Sequence, residues 1–138
     1  MAHASEILTL REIPDTSSEQ LPKLNVTFSH GTETGGNSIT TTIQVYDKQD
    51  ALARHTLLRV WYAATANGVP DATGNTVTAA GTGAIIETVT ANAQYIVETN
   101  SSGVVTMANV VAGAATRYLN VALPDGEVIA SSVITWAA

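Results

Sequence analysis

The run Thr56-Leu57-Leu58-Arg59-Val60-Trp61-Tyr62-Ala63 constrains the fold more than any other stretch of the chain. It is the densest concentration of β-branched, large aliphatic and aromatic side chains, the types that suit a pleated strand. With a period of two, Leu57, Arg59 and Trp61 share one face, and Leu58, Val60 and Tyr62 share the other. Apolar groups on both faces fit the middle of a sheet better than its edge. Trp61 is expected to plug the core, given the apolar weight around it. The alternative for this region is a helix over residues 50–65.

Further strand candidates lie on either side. From Ile39 the alternation is clean: Ile39, Thr41, Ile43 and Val45 share one face, and Thr40, Thr42, Gln44 and Tyr46 the other. Residues 47–54 turn the chain into the central strand. Residues 67–75 are turn material, rich in Gly, Pro, Asn and Asp. Short strands are expected at Thr76–Thr78, Ala84–Val89, Tyr95–Thr99, Val104–Val110 and Thr116–Leu123. Asn100-Ser101-Ser102-Gly103 reads as a tight connection, with Gly103 free to take positive φ. Pro124-Asp125-Gly126-Glu127 is the strongest hairpin signal, with a return strand expected from Val128 to Trp136. Many short strands at short spacing, without amphipathic helical periodicity, indicate an all-β sandwich.

The first 38 residues read differently. Ile7–Ile13 has the makings of a short strand stopped by Pro14, Leu21–Phe28 favours extended chain around Pro22, and Ser29–Ser38 reads as a polar loop or linker. Residues 1–38 are therefore expected to form an ordered arm, and residues 39–138 the sandwich domain. An arm carrying so many apolar groups needs a surface to cover, on its own sandwich, on a symmetry mate or on another protein. The residues expected to make partner contacts are Ile7, Leu8, Leu10, Ile13, Leu21 and Leu24.

Three pieces carry a family resemblance. They are Val45-Tyr46-Asp47-Lys48-Gln49 with the strand ending Arg59-Val60-Trp61; Glu98-Thr99-Asn100-Ser101-Ser102-Gly103-Val104-Val105-Thr106-Met107; and Ala115–Val121 with the terminal Ser131-Ser132-Val133-Ile134-Thr135-Trp136. Together they resemble the bacterial immunoglobulin-like modules of adhesins and of tailed-phage virion proteins, over roughly Ile39 to Ala138. The chain departs from that pattern at Asp50, where a Gly is common, and in a long, irregular middle from Gly68 to Gly83. The resemblance implies an immunoglobulin-like β-sandwich, with a jelly-roll sandwich as the alternative. In texture and length the chain is also similar to small phage virion proteins that decorate or cement an icosahedral head. That likeness implies a structural virion protein on the outer surface of a capsid, bound across capsid subunits, with the major capsid protein as partner and a homo-oligomeric state. The competing implication is an adhesive tail or fibre module that binds host-surface glycan.

Composition narrows the remaining function classes. Twelve acidic and six basic residues give a formal net charge of −6, unsuited to a nucleic-acid backbone or an anionic lipid surface. Only 13% of residues are charged, against a typical ~25%, so much of the surface must be Thr, Ser, Asn and Ala or be covered by partners. Cysteine is absent, which removes disulfides and thiolate metal sites. No apolar run approaches the ~20 residues of a membrane-spanning helix, and the N-terminus lacks the features of a cleaved secretory signal. His3, His30 and His55 sit in unrelated contexts and are expected to bind no metal. Asp47, Asp50, Asn67 and Asp71 read as solvated turn residues rather than a calcium site. Glu87 and Glu98 suit an exposed strand face better than a hydrolytic pair, and no nucleophile elbow or phosphate loop is present. Neither cofactor nor catalysis is expected. Tyr46, Tyr62 and Tyr118 are the candidates for a sugar-stacking surface, on an aromatic fraction of only 5%.

Overall fold

The computed structural model describes residues 24–48, 50–51 and 54–137, and these form two antiparallel sheets. The strands are β1 (Leu24–His30), β2 (Ser38–Asp47), β3 (Asp50–Ala51), β4 (Leu57–Ala63), β5 (Asn75–Ala79), β6 (Ala84–Thr90), β7 (Gln94–Glu98), β8 (Val104–Val111), β9 (Ala115–Ala122), β10 (Val128–Ala130) and β11 (Ile134–Trp136). One sheet runs β1-β2-β8-β5, with β3 paired to the end of β2. The other runs β10-β9-β4-β7-β6, with β11 continuing beside β9. Their facing sides share one core, in which Ile43, Val45 and Met107 of the first sheet join Val60, Val97, Leu119 and Val121 of the second. The chain is an all-β sandwich.

The sheet β1-β2-β8-β5 packs against the β10-β9-β4 part of the second sheet as the two layers of the sandwich. The β6–β7 hairpin lies in sequence between β5 and β8 and extends the second sheet beside β4. It accounts for the irregular middle of the sequence, because the chain must cross there from one sheet to the other. Gly83 makes the crossing possible: at φ 72° it passes so close to β8 that a Cβ would lie 2.7 Å from the Val105 side chain.

The central strand sits where its apolar character requires. β4 lies between β9 and β7, with Val60 paired to Val121 on one side and Tyr95 on the other. Its inward face is Leu58, Val60 and Tyr62, all essentially buried. Each such side chain contributes about 1.5–3 kcal/mol of transfer free energy. β2 likewise buries Ile39, Thr41, Ile43 and Val45 and turns Thr40, Thr42, Gln44 and Tyr46 outward.

Several expectations change. The sandwich does not begin at residue 39, because β1 pairs along its whole length with β2, from Leu24 opposite Asp47 to His30 opposite Thr41. The polar tract expected from Ser29 shrinks to the turn 31–37, held by Gly31 N–H donating to Thr40 O and Asn37 N–H to Thr34 O. Leu24, expected at a partner interface, is only 5% exposed and belongs to the core. Trp61 is not a core plug; it points away from the core on the outer face of β4. Trp136 takes the interior position instead, 1% exposed, with its indole N–H donating to Asn37 O at 3.0 Å. The expected return strand is broken at residues 131–133. There Ser131 Oγ accepts from Leu119 N–H at 3.0 Å and the extra residue forms a bulge between β10 and β11. Ile7, Leu8, Leu10, Ile13 and Leu21 lie outside the described residues.

Candidate functional site

The feature that stands apart from the folding scaffold is on the outer face of the six-stranded sheet. Strand register sets it out row by row. Val128 of β10 lies opposite Ala122 of β9, Ala122 opposite Arg59 of β4, and Arg59 opposite Ile96 of β7. Alternation along each strand turns these residues outward together. One row further towards the end of the sandwich stands Leu57, opposite Glu98 and 53% exposed. Of these, Leu57, Arg59, Ile96 and Ala122, with Leu58, Leu123 and Pro124, line a shallow apolar groove of about 320 Å³, in which Arg59 is the one cation among the described lining residues. Chemically, the groove can take a short apolar segment and place one carboxylate beside Arg59.

The other end of the same face is closed by the chain itself. The β4–β5 loop folds back over it, with the Trp61 indole N–H donating to Gly68 O at 2.8 Å and Asn67 N–H donating to Asn120 Oδ1 at 2.8 Å. Asn120 points outward from β9 and is nevertheless fully buried beneath this loop. Two features hold the loop: Asp71 N–H donates to Tyr62 O, and Thr73 N–H donates to Asp71 Oδ1 at 2.9 Å. The bond from Thr73 also holds the Asp71 carboxyl below its usual pKa. Arg117 ties the loop's exit to β9, its Nε donating to Asn75 Oδ1 at 3.0 Å.

The remaining candidate residues are scattered or structural. Asp47 and Asp50 face each other across the β2–β3 turn, while Asn67 and Asp71 lie in the β4–β5 loop at the opposite end. No group of three or more His, Asp or Glu able to hold a metal ion occurs among the described residues. His55 Nδ1 meets Thr99 O at 2.8 Å beside the buried Thr99 Oγ1, which accepts from Thr56 N–H at 2.9 Å. His30 sits on the seam between the sheets: Nε2 donates to Ser132 O at 3.2 Å, which leaves Nδ1 to accept from Thr41 Oγ1 at 2.9 Å. Burial pushes its imidazole pKa down. Tyr62 is buried, with its hydroxyl pKa driven up by desolvation, so it is not available for sugar stacking. Glu87 is exposed and Glu98 half-buried, on neighbouring strands.

The sequence did mark the face that carries the groove, since Leu57, Arg59 and Trp61 alternate together. It did not mark which face is inward, nor that Ala122, Val128 and Ile96 come into register around Arg59. In comparisons with known proteins, no protein-family model matches the chain and no curated protein matches it in sequence.

Proposed function

We propose that this chain is a non-catalytic structural protein that docks by its sandwich surface onto a larger protein assembly, as a decoration protein does on the outer surface of a tailed-phage capsid. The observation that carries the reading is the apolar groove around Arg59, exposed among the described residues, on a face whose other end is covered by the β4–β5 loop. Apolar area covered across subunit seams stabilises an assembly by binding free energy alone, without chemistry. Repeated copies on a symmetric shell add avidity. The major capsid protein is the proposed partner and the proposed site is the virion exterior, with homo-oligomerisation following from shell symmetry. Ile7, Leu8, Leu10, Ile13 and Leu21 remain proposed contacts alongside the groove.

The test is copy number, by quantitative mass spectrometry of purified particles that carry the protein. A stoichiometry near that of the major capsid protein supports decoration. A handful of copies moves the protein to the tail, where glycan binding becomes the reading to pursue. Absence from particles rejects both.

A further inference from the structure

We infer that the outer face of the first sheet, β1-β2-β8-β5, is a self-association surface on which a second copy of this chain docks face to face. Strand register defines the surface. β8 runs through its middle with Val104, Thr106, Ala108 and Val110 outward, because the alternate residues turn to the core. Thr42 of β2 lies opposite Thr106, and Ala108 lies between Thr40 of β2 and Thr78 of β5. The result is an apolar stripe along β8 bordered by hydroxyls, the apolar centre and polar rim of an interface between proteins. Polar atoms beside the stripe are already paired within the chain. Thr106 Oγ1 accepts from Thr82 N–H at 3.1 Å, and the Gln44 amide donates to Ser102 O at 3.0 Å, so covering them breaks no bond.

Charge selects the occupant. With a formal net charge of −6, two copies of the chain repel one another at most approaches. No outward position on β1, β2, β8 or β5 is Asp, Glu, Lys, Arg or His. Asp47 and Asp50 lie past Tyr46 at the end of β2, where they face each other. The opposite face of the sandwich, by contrast, carries Arg59 and Glu98 in its rows. A copy that docks on the first sheet brings no like charge against like, and a strongly charged partner finds nothing there to pair with.

Strand addition is the other way in which copies of a β protein meet, and this sheet takes up an edge N–H on both sides. On the free side of β1, Val26 N–H donates to Asn25 Oδ1 at 2.8 Å; on the free side of β5, Val77 N–H donates to Asn92 Oδ1 at 3.1 Å. The face is large enough to serve instead. Its outward positions are three on β1, five on β2, four on β8 and two on β5. At about 4.8 by 6.8 Å each, they make a flat surface of roughly 460 Å². A pair therefore covers on the order of 1,000 Å² in all, the lower bound for a specific interface, so the dimer is weak and concentration-dependent. The inference concerns the isolated chain and does not rest on the role proposed above, since the groove around Arg59 belongs to the other sheet.

The test is sedimentation equilibrium of the full-length protein from about 5 to 500 µM, with each variant at matched folded fraction. Wild type is expected to show a reversible monomer–dimer equilibrium. Thr40→Glu and Thr40→Lys, at an exposed position of β2, are each expected to weaken it at least about tenfold, because a charge of either sign is covered without a partner. Val69→Glu makes the same charge change as Thr40→Glu on the loop that covers the other sheet, and should associate as wild type does. A wild-type protein that stays monomeric throughout would overturn the proposal. So would a dimer that both Thr40 variants leave intact, which places the contact elsewhere. Stronger association of Thr40→Lys, or a loss in Val69→Glu equal to that in Thr40→Glu, would overturn it in favour of an effect of overall charge.

Discussion

The two ends of one sheet face, served by the same strand β4, are finished in opposite ways. At the Trp61 end the β4–β5 loop folds back, covers the indole and takes up the outward amide of Asn120. At the Leu57 end the neighbouring connections are tight. The Leu123–Glu127 turn closes on itself, with Gly126 N–H donating to Leu123 O and Leu123 N–H to Glu127 O, and among the described residues no loop folds over this end as the β4–β5 loop does over the other. Burial alone does not distinguish a strand that is central in its sheet from one that is covered on both faces. Among the described residues, the difference between the two ends separates a surface covered by a loop from one that is left exposed.

Substitutions along β4 sharpen that contrast. Leu58→Ala, on the inward face, is expected to cost about 2–5 kcal/mol, read as a lowered urea midpoint at unchanged slope. Trp61→Phe removes the bond to Gly68 O but keeps most of the ring's cover. It should cost about 1 kcal/mol and raise amide exchange selectively in residues 64–70. Leu57→Ser, adjacent in sequence to Leu58, should change stability by no more than about 0.5 kcal/mol, since its side chain is already half in water. If Leu57→Ser destabilised as much as Leu58→Ala, the bare end would have to be counted as core.

The seam between the sheets gives a pH test of the closed kind of region. Burial lowers the His30 pKa, so the fold favours the neutral ring. That contribution is fully present above about pH 6.5, the unfolded value, and is lost as pH falls through the depressed folded value. His30→Gln should flatten the pH dependence of stability across that window while leaving the groove intact. A profile that stayed unchanged would mean that the ring titrates as it does in water.

Much of the architecture was legible in the sequence because it rests on period-two alternation and turn chemistry. Ile39–Val45 and the central strand were read with the correct faces paired, and Gly103 and Gly126 sit in turns at positive φ, as their residue type requires. What failed depended on long-range geometry. Leu24–His30 looked like part of an arm because Pro22 and the polar tract that follows punctuate the chain around it, yet pairing with β2 makes it a sheet edge. Trp61 was assigned inward on apolar character, although Leu58, Val60 and Tyr62 bury more as a set and leave Trp61 to the loop. The groove was not legible, since it arises only when β9, β4 and β7 come into register beside the β9–β10 turn. Beyond Leu57, Leu58 and Arg59 of β4, it needs Ile96 of β7 and Ala122 of β9, single side chains unremarkable in sequence.

For the proposed role as a decoration protein, the most direct measurement is rebinding of purified protein to particles from which it has been stripped, comparing wild type with Leu57→Asp at matched folded fraction. Wild-type protein is expected to rebind to near its original occupancy, while Leu57→Asp, which puts a carboxylate into the bare end of the face and leaves the core alone, loses at least about tenfold in affinity. Equal rebinding by the two proteins would contradict the assignment of this face as the docking surface.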